Sequence, residues 1–132
     1  MRNILLGALL LSAAVIPAFA QTTTPAAEPR FVSVTDTSVL SSNVIGLNVL
    51  NAGDETIGEI KDVVVSKENG IEGFVVSVGG FLGVGEHYVV VDPAAMAVSY
   101  DASNKKWQAR MNATADQLKA APAFTYEGKW KS

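Results

Sequence analysis

The chain has 132 residues, 48% of them hydrophobic, no cysteine, and a net charge of −3 at pH 7. At roughly 100–200 residues per domain, that length holds a single domain. The missing cysteines exclude a disulfide scaffold, and the aliphatic content excludes disorder throughout. Ten Lys+Arg against thirteen Asp+Glu argue against a nucleic-acid partner, which calls for a basic surplus.

The chain opens Met1-Arg2-Asn3, then runs apolar from Ile4 to Ile16 with only Gly7 and Ser12 interrupting. Pro17 ends the run and Ala18-Phe19-Ala20 follows. A positive start, a short apolar core and small residues at the A-x-A positions are the pattern of a secretory signal peptide. Residues 1–20 are therefore expected to be cleaved after Ala20, leaving a periplasmic or secreted protein. The apolar run falls short of the about 20 residues that cross a bilayer, so no transmembrane segment is expected once the signal is removed. Gln21 stands where a lipoprotein needs cysteine. An exported chain without cysteine must hold together by core packing alone.

Residues 21–40 begin QTTTPAAEP and read as a flexible leader. The domain is expected over 41–126, with a tail at 127–132. Short Val- and Ile-rich runs then alternate with Gly, Asn and Asp clusters, an all-β signature. Leu47–Leu50 is a first predicted strand and Asn51–Asp54 a turn. Ile57–Ser66 is a second strand, with Gly58 expected as a bulge because the apolar alternation slips between Ile57 and Ile60. Asn69-Gly70 marks a hairpin, since both residues tolerate positive φ. Ile71–Val78 follows, with Phe74, Val76 and Val78 on one face. After the glycine-dense Gly79–Gly85 comes a strand over Glu86–Val91, closed by Asp92-Pro93 because proline cannot donate to a ladder. Two strands with one buried and one wet face are read next. One turns Met96, Val98 and Tyr100 inward, the other Trp107, Ala109 and Met111. Thr114-Ala115-Asp116-Gln117 is a capping box for one short helix that stops before Pro122. Phe124 and Tyr126 form a final extended piece.

No nucleophile, base and oxyanion site assemble in this pattern. Gly79–Gly85 leads into a strand, whereas a phosphate cradle opens a helix, and it lacks both dinucleotide and P-loop spacing. Its Phe81, Leu82 and Val84 are either tucked over a barrel mouth or shown to a partner. His87 is the only histidine, and Glu86 beside it on a strand points to the other face. No metal set of His, Cys or clustered carboxylates stands out, and no cofactor is expected. Ser103-x-x-Lys106 lacks the partner motifs of the acyl enzymes that share it.

Three blocks together resemble the PRC-barrel family. Val44-Ile45-Gly46-Leu47-Asn48-Val49 is similar to its opening strand, and Gly58-Glu59-Ile60-Lys61-Asp62-Val63 to its Gly-acidic-Ile-x-Asp strand. Gly79-Gly80-Phe81-Leu82-Gly83-Val84-Gly85-Glu86 is similar to a segment of its stand-alone bacterial members. The resemblance covers about Ser41 to Tyr100, and the ending Asn112–Tyr126 is similar to tails of small exported members. It implies a small closed SH3-like β-barrel of about six strands with one short C-terminal helix. Relatives occur in the photosynthetic reaction centre H subunit and in a ribosome maturation factor, where the domain is a docking module, so no catalytic residue is implied.

The expectation is therefore a non-catalytic exported module, not an enzyme. It would bind a protein or envelope component through Gly79, Gly80, Phe81, Leu82, Gly83, Val84 and Gly85. Two alternatives stay open: a small-molecule binder or minor enzyme using the barrel mouth near His87 and Tyr88, and a structural envelope protein that forms homo-oligomers through strand edges.

Overall fold

The structure is a computed structural model that describes residue 14, residues 27–79 and residues 85–131. Apart from Ala14, the expected signal peptide lies outside the described residues, as do Gly80–Val84. The chain divides into two units, Met1–Ser33 and Val34–Ser132. The described residues of the first have no regular secondary structure.

In the second unit a helical turn α1 (Ser41–Val44) precedes β1 (Asn48–Leu50), β2 (Thr56–Ser66), β3 (Gly70–Val78), β4 (His87–Val91), β5 (Ala97–Asp101), β6 (Lys106–Arg110) and the helix α2 (Ala115–Ala120). The β-branched residues that dominate β2 to β4 fit a pleated, half-buried surface. The sheet order is β4-β3-β2-β1-β6-β5, antiparallel throughout except for β1 beside β6. That ladder has two ends, so among the described residues hydrogen bonds do not close the sheet into the expected barrel.

All six strands nevertheless face one core or its margin. Val49, Ile57, Ile60, Phe74, Val76, Val78, Val89, Val91, Met96, Ala109 and Met111 form one buried cluster, and Val44 and Leu118 add the two helices to it. Leu118 gets there through the expected capping box. Gln117 N donates to Thr114 Oγ1 at 3.1 Å, and Thr114 N donates to Gln117 Oε1 at 2.9 Å.

Three expectations about local geometry need correction. Gly58 is not itself the bulge: it pairs with Val49, while Ile57 is the extra residue against β1 and Lys61 the extra residue against β3. What requires glycine at 58 is close approach. A Cβ there would lie 2.6 Å from Val76 Cγ1 and 2.8 Å from Ser77 O. The β2–β3 hairpin forms, but only Gly70 takes positive φ (+72°), closing a three-residue loop. Asn69 instead donates its backbone N–H to Ser66 Oγ at 2.9 Å.

The third correction concerns Tyr100, which is 51% exposed rather than buried. It pairs across the β5–β6 ladder with Trp107, ring centroids 5.3 Å apart. The alternation placed it on the right face, but at the hairpin end, past the reach of the core.

Gly58→Ala should destabilise the domain by about 1–3 kcal/mol, because Val76 and the Ser77 carbonyl can only yield by shifting β3. Urea unfolding of the variant beside the parent chain measures this. An unchanged midpoint would show that β3 gives way freely.

Candidate functional site

Three places in the second unit could meet a ligand or partner. The first is the glycine segment between β3 and β4. Gly79 and Gly85 bound it with φ of +67° and +75°, a left-handed conformation natural to glycine. Gly80, Phe81, Leu82, Gly83 and Val84 lie outside the described residues. Lys119 of α2 flanks this end of the sheet, its Cε 3.4 Å from where a Cβ on Gly79 would stand.

His87 and Glu86 have separate partners, as their alternation requires. His87 Nε2 donates to Ala121 O at 3.1 Å, tying β4 to the end of α2. A carbonyl only accepts, so Nε2 carries the proton. Tyr88 OH donates to Glu86 Oε2. The hydroxyl of Tyr88 is thereby held above its ordinary value of 10.0, mainly by that bond, since ionisation would give up the proton it donates.

The second place is the outer face of β2 to β4, where the C-terminal segment returns. Phe124 N donates to Tyr88 O at 2.7 Å, and the two residues form an antiparallel bridge at the β4 edge. Tyr88 and Phe124 each meet Tyr126 edge-on, with centroids 5.5 and 5.0 Å away, and Phe124 lies 6.2 Å from Trp130. Burial, then the Asp62 carboxylate, push the Tyr126 hydroxyl above 10.0, and Lys61 opposes them. The alternation of Phe124 and Tyr126 signalled an extended piece, but nothing local showed where it would lie.

The third place was missed entirely. At the far end of β3 from the Val78–His87 pair, a hollow of about 530 Å³ opens among Val44, Ile45, Val63, Ile71, Phe74 and Met96. Its lining is apolar apart from Ser41 and Asp62. Val65 and Ile71 on the hairpin are 68% and 52% exposed, and Val39, Leu40 and Ile45 rise beside α1 with 40–52% exposure. The signal was present in Val63-Val64-Val65, three consecutive apolar residues that put valine on both faces of β2.

Among the described residues no group of three or more His, Cys, Asp or Glu is placed to hold a metal ion. No helix among them is long and apolar enough to cross a membrane. The described residues build a small six-strand β module with a helix packed on its core and an apolar hollow at its hairpin end. The PRC-barrel domain matches residues 36–118, and the chain belongs to the PRC-barrel family, whose domains are generally non-catalytic modules. No curated protein matches the chain.

The two tyrosines supply a test in alkali. A folded-state pKa above the unfolded one contributes stability that is complete below pH 10.0 and lost as pH rises through the folded value. Stability should therefore fall above about pH 10, and less steeply in Tyr126→Phe. Denaturant titrations between neutral and alkaline pH follow this; an identical slope in parent and variant would contradict the assignment to Tyr126.

Proposed function

We propose that this chain is an exported, non-catalytic docking module. The exposed aliphatic rim around the hollow carries the reading. Val65 and Ile71 stand in water at the tip of a hairpin, next to a cavity of about 530 Å³. Exposed apolar surface rimming a concavity costs solvation unless a partner covers it. Gly79–Gly85, with Phe81, Leu82 and Val84, is a second apolar contact at the opposite end of β3.

The six strands act as a closed SH3-like barrel, closed by side chains rather than by a β4–β5 ladder. What supports this is the Asp92–Met96 corner between the two strands. Asp92 Oδ1 accepts from Ala94 N at 2.7 Å, capping a 3-10 turn at Pro93–Ala95, and Met96 just beyond it joins Phe74 and Val91 in the core. Export rests on the pattern of residues 1–20, and a chain recovered from its native host should then begin at Gln21.

The test is in-cell photo-crosslinking from residue 71 and, separately, from residue 81. Capture of a discrete partner at residue 71, lost when Ile45→Ser/Val65→Ser is added, supports docking at the hollow. Capture only at residue 81, lost when Leu82→Ser/Val84→Ser is added, moves the contact to the glycine segment. Ile45 and Val65 stand outside the buried cluster and are 45% and 68% exposed, so the first pair should unfold within about 1 kcal/mol of the parent. No discrete capture from either position overturns the docking reading.

A further inference from the structure

The outer face of β2 to β4 carries a hollow of about 480 Å³ where the C-terminal segment crosses it. Val75 lines it from the sheet, Phe124, Tyr126 and Trp130 from the returning chain, and Asp62 and Glu72 add two carboxylates. No lysine or arginine is part of this lining among the described residues. One cation is already attracted here: Lys129 Nζ lies 5.0 Å from the centroid of the Trp130 ring.

These groups select by chemistry. The faces of aromatic rings are electronegative and attract cations, most of all where water is excluded. Asp62 and Glu72 add negative potential and repel anions, and the Asp62 charge is already felt at the Tyr126 hydroxyl. A bare metal ion would find no chelating set among the described residues. The valine and ring surfaces favour a cation that carries its own apolar shell and sheds water easily.

We infer that this hollow binds a trimethylalkylammonium group, the cation of choline and of choline-bearing lipids. The three aromatic residues follow residue 118, where the family match ends, so the site is built by the chain's C-terminal extension on a face the domain supplies. It does not depend on docking at the hairpin hollow, which residues 45 and 71 test separately.

Trp107 and Trp130 are the two tryptophans, so Trp107→Phe in the full chain leaves Trp130 as the sole indole reporter. Titration with choline chloride at constant ionic strength should change its emission saturably. Asp62→Asn/Glu72→Gln should weaken that binding about fivefold, and both positions are exposed. If the double variant fails to fold, Glu72→Gln alone carries the comparison, with a smaller loss. Co-sedimentation with phosphatidylcholine vesicles, competed by free choline, assigns the group to a lipid headgroup. Choline binding without co-sedimentation assigns it to a free ammonium compound. The absence of a saturable change, or an equal response to the uncharged tert-butyl analogue of choline, overturns the proposal.

Discussion

The fold depends on how β2 bends. It pairs with β1 on one side and β3 on the other, and it carries one extra residue in each ladder, Ile57 against β1 and Lys61 against β3. Extra residues increase twist and re-aim side chains. That is how Ile57 and Ile60, three positions apart, both reach the core, being 4% and 0% exposed. A regular strand would send one of them to the opposite face. Gly58 between them makes room for Val76 and the Ser77 carbonyl, so the curvature and the contact with β3 arise in the same few residues.

Curvature alone leaves two strand edges, and an exposed edge is a template for unwanted pairing. At β4, the chain places Phe124 against Tyr88, and His87 bonds to the carbonyl that ends α2. The helix therefore has two roles: it sends Leu118 into the core and delivers the aromatic segment to the outer face. The same return leaves Val75 only 1% exposed although it faces away from the core cluster. β3 is consequently buried on both sides from Gly73 to Val78, as its near-continuous apolar run required.

Much of this was legible residue by residue. Val- and Ile-rich runs between Gly, Asn and Asp clusters located the first four strands and period-two alternation the last two, Pro93 ended the fourth, and Thr114 with Gln117 announced α2. The blocks around Gly46, Gly58 and Gly79 pointed to the right family. The candidate site was less legible. Of the glycine segment, Gly79 and Gly85 adopt the left-handed backbone natural to glycine. The hairpin hollow and the aromatic face escaped because each is assembled from segments far apart in sequence. Val39 and Ile45 meet Ile71 and Met96 in one, and Asp62 and Glu72 meet Phe124 and Trp130 in the other. The helical turn at Ser41–Val44 was also missed, for it has no side-chain cap and too few residues to show a period.

By itself the sequence determined the element types, their order and the inward face of most strands, because those follow from local sterics and from alternation within a few residues. It also determined that core packing, without disulfides, must hold the domain. Only the tertiary structure decided the order β4-β3-β2-β1-β6-β5, the parallel pairing of β1 with β6, and the path of the final aromatic residues across the sheet. Those depend on the accumulated twist of β2 and on burial shared by residues 50 or more apart, such as Val49 with Ala109, which no local pattern encodes.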